Sequence, residues 1–214
     1  MKKKEITIIN LGINNIKKII NAFEYLNANV KITESRKDIL NADRLLLPGL
    51  GAFNSGMHNL NKFQLVDDIY EFIFNKKKPI FGICLGMQLF FEYSEEFEKT
   101  KGLGFLEGNC KKLETSKNNF INIPHIGWNK VIFSKNINCN SIFEESFSSK
   151  DNFFYFVHSF FVKTKKIDII SGKTLYGKNN FCLAIEKDNI LGTQFHPELS
   201  GKKGLNILDK FLKI

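Results

Sequence analysis

The sequence predicts a single α/β domain over residues 1–214, with a mixed, mostly parallel sheet and helices on both of its faces. Three observations predict it. Short, continuously apolar runs alternate with amphipathic stretches through the first half, the pattern of strands covered on both sides by helices. Helical periodicity then fades and strand-like runs follow one another, so the sheet must be mixed. No repeat, linker or low-complexity block interrupts the 214 residues, a length that suits one generous domain.

The elements follow in order. ITIIN (6–10) reads as a buried first strand, and NNIKKIINAFEYL (14–26) sets Ile16, Ile19, Ile20, Phe23 and Leu26 on one helical face. NVKIT (29–33) and ADRLLLP (42–48) are the next two strands, the second ended by proline. PGLGAFNSG (48–56) is a glycine-rich loop leading into a helical stretch towards Asn75, after which PIFGIC (79–84) is a strand feeding the helix LGMQLFFEY. GFLEGNCKKLE (104–114), NKVIFS (129–134), NFFYFVHSF (152–160) and IDIISGKTL (167–175) have strand character. FCLAIEKDNILGTQF (181–195) has the form of a hairpin turning at Lys187, Asp188 and Asn189, and GLNILDKFLKI closes the chain as an amphipathic helix.

Composition narrows the function classes. Hydrophobic residues at 43% and charged residues at 25% match ordinary globular usage and allow a sizeable core. No apolar run approaches the ~18 residues that span a bilayer. The start, MKKKEITIIN, lacks the long apolar segment and cleavage site of a signal peptide, so a cytoplasmic protein without membrane association is expected. The net charge of +9 raises nucleic-acid binding as a possibility. Among the 31 basic residues, however, only Arg36 and Arg44 are arginines, the preferred bidentate readers of phosphates and bases, and the lysines are scattered. No nucleic-acid partner is expected. The four cysteines, at 84, 110, 139 and 182, show no CxxC spacing, which argues against zinc and redox sites. Cys110, Cys139 and Cys182 read as small inert residues.

Cys84 differs, because residues 82–86 spell G-I-C-L-G at a strand-to-helix junction. This is the cysteine form of a nucleophile elbow, a strained turn in which a Cβ two residues before or after the nucleophile would crowd the bend. The helix that follows points its N-terminus at the sulfur and favours a negative charge there. Alone, the pattern also fits glycines that punctuate a buried strand beside a space-filling cysteine. The strand before and the helix after supply the context the motif requires.

Near the C-terminus, GTQFHPE places His196 and Glu198 around Pro197. Proline biases His196 towards extended backbone, where side chains two apart share a side. An imidazole so placed can take a thiol proton while a carboxylate fixes its tautomer. Without the elbow, a surface His–Glu pair after a strand is the better fit; beside the elbow the balance reverses.

GICLGMQ, FHPE and PGLG in this order resemble the class I (triad-type) glutamine amidotransferases. IPHIGWN (123–129) and FYFVHSF (154–160) narrow the likeness to glutaminase subunits of imidazole glycerol phosphate synthase, or a close paralogue, over nearly the whole chain. The resemblance implies a hydrolysis of glutamine to glutamate and ammonia by Cys84 as nucleophile, His196 as base and acid, and Glu198 as its orienter. It implies an oxyanion hole from the N–H of Leu85 and of Leu50 or Gly51. Gly49, Gln88, His158, Ser159 and Phe160 are expected around the substrate, His158 not as a catalytic group. Pro124, His125 and Trp128 match a loop that in the family faces a (β/α)₈-barrel cyclase, the heterodimer partner that receives the ammonia in histidine biosynthesis. No metal or organic cofactor is implied. One departure stands in residues 10–15, N-L-G-I-N-N, where the family's second glycine is Asn14. It keeps open a paralogue that feeds ammonia to a surface-sugar amidotransferase. Two further alternatives are a non-catalytic basic binding module and a stand-alone cysteine hydrolase, the latter leaving PHIGWN unexplained.

Overall fold

The structure, a computed structural model, describes residues 4–12, 16–115, 120–133, 141–144, 152–177 and 179–214. Four parallel strands, β1 (Glu5–Ile9), β2 (Asn29–Thr33), β3 (Leu45–Leu47) and β4 (Ile80–Ile83), lie in the order β2-β1-β3-β4. The sheet continues beyond β4 with β14 (Ile190–Thr193), which is parallel to it. It then turns antiparallel through β13 (Asn179–Lys187), β11 (Phe160–Lys163) and β7 (Leu106–Lys112). On the far edge β5 (Phe91–Ser94) pairs in parallel with β7 and antiparallel with β6 (Thr100–Lys101). β12 (Ile170–Tyr176) branches from β13 and carries β9 (Ile132–Phe133). A separate antiparallel pair joins β8 (His125–Lys130) to β10 (Phe153–His158).

The alternation of side chains along β1, β3 and β4 explains why these inner strands are almost continuously apolar. Ile8, Leu46, Phe81 and Ile83 face one core, which also holds Phe23 of α1 (Lys17–Tyr25) and Leu208 and Phe211 of α6 (Gly201–Phe211). Their neighbours Ile9, Leu45, Leu47 and Ile80 face the other, packed by α3 (Phe53–Lys62), α4 (Val66–Tyr70) and α5 (Leu85–Leu89). β3, β4 and β1 from Ile6 onward are thus buried on both faces, the edge strand β2 is largely exposed, and the nucleophile segment emerges from the centre of the sheet. No helix among the described residues is long and apolar enough to cross a membrane.

Three elements in the first hundred residues differ from the sequence reading. A short helix, α2 (Arg36–Asn41), stands between β2 and β3; only Ile39 of it is buried, so it has no apolar periodicity to reveal it. LGMQLFFEY does not stay helical: α5 stops at Leu89, and Phe91–Ser94 joins the sheet beside β7. The stretch towards Asn75 breaks at Gln64, with φ of 56°, and ends in a π-helical turn over Glu71–Asn75. The hairpin forms as predicted, turning at Asp188 with φ of 53°.

Candidate active site

The sheet's central strand delivers Cys84 to its carboxyl end. Cys84 has φ 49° and ψ −103°, a backbone conformation that a side-chain-bearing residue adopts only when its surroundings enforce it, at a cost of ~1–3 kcal/mol. Two features hold it. Its N–H donates to the carbonyl of Thr193 at 2.6 Å, extending the β4–β14 ladder by one bond. Both flanking glycines are required by contact, as the elbow reading predicts. A Cβ on Gly86 would lie 2.0 Å from the carbonyl oxygen of Leu47, and one on Gly82 would lie 2.6 Å from the backbone of Gly86 and Met87.

The PGLG loop is pressed onto the same turn. A Cβ on Gly49 would stand 1.9 Å from the Ile83 carbonyl oxygen and 2.8 Å from Cys84 Cβ. Gly49 therefore serves close approach, and it brings Leu50 and Gly51, the latter with φ of 102°, beside the elbow. The N–H of Leu85 opens α5 and so belongs to the helix-start donors that have no intrahelical acceptor.

His196 and Glu198 reach the elbow from the adjoining strand. His196 keeps extended dihedrals, but Pro197–Leu199 coils into a 3-10 turn, and this turn, rather than continued extension, swings Glu198 onto the ring. Nδ1 of His196 donates to Glu198 Oε1 at 2.8 Å, with the two side chains only 1% and 3% exposed. The His196 N–H donates to the Tyr155 carbonyl at 2.9 Å. Ser200 closes the turn: its hydroxyl donates to the His196 carbonyl at 2.6 Å and accepts from the Tyr155 N–H at 3.0 Å. Gly204 admits α6 against the turn, since a Cβ there would meet the Pro197 oxygen at 1.9 Å.

Electrostatics favour a protonated ring. Burial is the largest single influence on His196 and opposes its charge, but the charge and hydrogen bonding of Cys84 and then of Glu198 together outweigh it, and the pKa is pushed up to about 10. With Nδ1 committed to Glu198, the sulfur acts on the ring at Nε2, which is buried and completes no full hydrogen bond. The thiol and the imidazole are neighbours, and the sulfur's charge and hydrogen bonding both act on the ring. Cys110 and Cys182 are buried like Cys84, and burial drives the Cys110 thiol well up and the Cys182 thiol to about 12, as inert thiols require. Cys139 and Asn14 lie outside the described residues.

Gln88 lies one helical turn from Cys84, as predicted, its N–H donating to the Cys84 carbonyl at 3.1 Å. Its side-chain amide donates to the Phe160 carbonyl at 2.9 Å and to Gln194 Oε1 at 3.0 Å. Gln194, fully buried, donates in turn to Cys84 Sγ at 3.3 Å. Ser159 accepts the Leu113 N–H through its backbone carbonyl at 2.8 Å. His158 donates from Nδ1 to the Phe160 carbonyl at 2.9 Å, which leaves Nε2 to accept from His125 Nδ1 at 3.2 Å. Burial lowers both rings, His158 to about 3 and His125 to about 4, so the pair is neutral and structural near pH 7.

The three residues expected on a partner-facing loop fare differently. PHIGWN is mostly strand β8, and its register with β10 sets His125 opposite His158, facing inward. His125 is buried, stacked 3.8 Å from Tyr176, and cannot present itself at a surface. Pro124 and Trp128 are exposed, and with Ile126 and Phe153 they form an apolar strip, Trp128 being 56% exposed. Gln194, Ser200, Tyr155 and Gly204 are the site's contributors that the sequence reading missed. For Gln194 a signal existed: it stands two residues before His196, on the side of the strand that His196 shares. Among the described residues, no group of three or more His, Cys, Asp or Glu side chains is arranged to hold a metal.

Comparison with known proteins follows the same lines. A family model described as Glutamine amidotransferase class-I matches residues 7–214. The chain is similar to the imidazole glycerol phosphate synthase subunit HisH 1 of Campylobacter jejuni (strain RM1221), 40% identical over 209 residues that cover 98% of this chain and 100% of the relative. It is 39% identical over 214 residues to HisH of Pelagibacter ubique and 41% identical over 209 residues to HisH of Methanocaldococcus jannaschii, covering 98% of this chain and 99% of the relative in each case. In fold it resembles the crystal structure of a glutamine amidotransferase, with a TM-score of 0.71 at 14% identity over 98% of this chain and 99% of that one. It also resembles PurLQS from Thermotoga maritima, with a TM-score of 0.72 at 17% identity and 99% coverage of both chains.

Proposed function

The chain belongs to the class I glutamine amidotransferases, and from that premise we propose that it is the glutaminase subunit of an imidazole glycerol phosphate synthase. It hydrolyses glutamine and hands the ammonia to a (β/α)₈-barrel cyclase in histidine biosynthesis. The observation that carries the reading is the strained Cys84 elbow with a hydrogen-bonded His196–Glu198 pair beside it.

The geometry supports the following reaction. The sulfur of Cys84, its proton held on His196, attacks the side-chain carboxamide carbon of glutamine; an S–C bond forms and the carbonyl electrons move onto oxygen. The N–H of Leu85 and that of Leu50 or Gly51 stabilise this oxyanion, and one such donor is typically worth ~10²–10³ in kcat. His196 gives its Nε2 proton to the amide nitrogen, the C–N bond breaks and ammonia departs. The imidazole then takes a proton from water, which attacks the thioester; a second oxyanion collapses, the S–C bond breaks and glutamate leaves. Glu198 holds Nδ1–H throughout, so that Nε2 is the nitrogen that exchanges protons. The relatives' designation as synthase subunits and the apolar strip of Pro124, Ile126, Trp128 and Phe153 support a protein partner.

The test pairs the chain with a cyclase subunit. Cys84→Ala should lose glutamine-dependent product formation while added ammonium salts still support it, and the isolated wild-type chain should be a poor glutaminase. Glutamine-dependent activity persisting in Cys84→Ala would overturn the assignment. Rescue of a histidine auxotroph separates this role from ammonia supply to a surface-sugar pathway.

A further inference from the structure

A chain of side-chain amides runs from the backbone to the nucleophile, and its polarity is fixed from the backbone outward. The Phe160 carbonyl can only accept, so the Gln88 atom 2.9 Å from it is the NH₂ group. The same NH₂ lies 3.0 Å from Gln194, whose facing atom must therefore be Oε1. That leaves the Gln194 NH₂ turned to Cys84 Sγ, at 3.3 Å. Gln194 is placed to do this by the sheet. Thr193, the residue before it, pairs with Ile83 across the β4–β14 ladder, and the Gln194 N–H is held by the Leu183 carbonyl at 2.7 Å.

We infer that Gln194 is a further catalytic residue of this site, donating a hydrogen bond to the Cys84 sulfur and, through its amide oxygen, turning Gln88 so that Gln88 offers the substrate an acceptor alone. The inference rests on the reading of Cys84 as nucleophile and deepens it. An N–H aimed at sulfur favours the anion over the thiol and holds it in place for attack. Burial matters here, since Gln194 is fully enclosed and water does not compete for the bond. The second effect follows from counting hydrogens. Both hydrogens of the Gln88 amide are committed, one to Phe160 and one to Gln194, so Oε1 is its remaining hydrogen-bonding atom. An acceptor at that point pairs with the NH₂ of a substrate carboxamide and finds no donor on the carboxylate of the product. The arrangement therefore discriminates glutamine from glutamate and assists product release.

The experiment measures alkylation of Cys84 by iodoacetamide in the purified full chain, across pH, because that reagent needs neither glutamine nor partner. Gln194→Met removes donor and acceptor at similar volume, whereas Gln194→Glu keeps the acceptor for Gln88 and removes the donor. Both variants should alkylate about tenfold more slowly than wild type near pH 7, with the pH profile displaced upward, as loss of one hydrogen bond to an anion predicts. Protection of Cys84 by glutamine over glutamate should be kept in Gln194→Glu and narrowed in Gln194→Met. Wild-type rate and profile in both folded variants would overturn the inference, while an unreactive Cys84 in the wild type would instead sink the nucleophile assignment. Should neither variant fold, a comparison that leaves Gln194 in place, wild type against Cys84→Ala, still decides the matter. The chain's only glutamines are Gln64, Gln88 and Gln194. The side-chain NH₂ resonances of Gln194 should shift and lose protection from solvent exchange in Cys84→Ala, and their invariance would refute the contact.

Discussion

Replacing Glu198 by Gln tests the coupling between the carboxylate and the imidazole while leaving shape intact. The amide oxygen can still accept the Nδ1–H that Oε1 now accepts at 2.8 Å, so geometry survives and only the charge is lost. Glu198 is 3% exposed, so solvent does little to screen it. A buried hydrogen bond to a charged group is worth ~1.5–3 kcal/mol and a neutral one ~0.5–1.5, so the variant gives up about 1.4 kcal/mol, equivalent to one pH unit at His196. The assay is the pH dependence of glutamine hydrolysis by the complex with a cyclase subunit, from neutrality to above pH 10. His196 must carry a proton to release ammonia, and in the free enzyme its pKa is held at about 10, so wild-type kcat/KM, which reports the free enzyme, should persist until that pH is approached. In Glu198→Gln the alkaline limb should move down by about one pH unit, with kcat reduced roughly tenfold. The proton on His196 also stabilises the fold: that contribution is complete below the ordinary histidine value of 6.5 and is lost as pH rises through about 10. An unmoved alkaline limb in the variant would refute the coupling.

Other perturbations follow from the packing. Gly86→Ala drives a Cβ to 2.0 Å from the Leu47 carbonyl and should cost ~2–3 kcal/mol, read as a fall of roughly 5–10 °C in Tm. Ser200→Ala strips a partner from both the Tyr155 N–H and the His196 carbonyl and should destabilise by ~2–4 kcal/mol in urea unfolding, with slower Cys84 alkylation as His196 loosens. His158 is held neutral by burial down to about pH 3, whereas the unfolded chain takes up a proton near 6.5. Stability should therefore fall as pH drops below 6.5, by ~1.4 kcal/mol per pH unit for this one ring, and a flat urea midpoint between pH 6 and 4 would contradict it.

What the sequence revealed and what it hid divide along a physical line. The elbow was legible because its requirements are local: Gly82, Cys84 and Gly86 lie within one turn, and each glycine is explained by a contact with backbone close to it or in the next strand. The His196–Glu198 pair was legible for the same reason, although the sequence suggested an extended segment where a 3-10 turn makes the contact. The alternating cores explain why continuously apolar strands identified a sheet covered on both faces. Hidden features depend on partners distant in the chain. Nothing local to Ser200 announces that it clamps Tyr155, and the spacing of Gln194 to His196 hints at the site without revealing the contacts to Cys84 and Gln88 that the fold makes. The inward turn of His125 is set by strand register with His158, which no single segment encodes. β5 was missed because Phe90 and Phe91 extend the apolar pattern of α5 while packing in a different element.

Peptide mapping after treatment with 6-diazo-5-oxonorleucine, an electrophilic glutamine analogue, tests the central claim most directly, because it asks whether a sulfur at residue 84 attacks a substrate-shaped molecule with the help of a ring at residue 196. The account predicts a single adduct on Cys84 in the wild-type chain bound to its cyclase, at least a hundredfold slower in His196→Ala, consistent with the ~10²–10⁴ that a positioned acid–base group contributes. An adduct on Cys110 or Cys182, or labelling of Cys84 at an undiminished rate in His196→Ala, would contradict it.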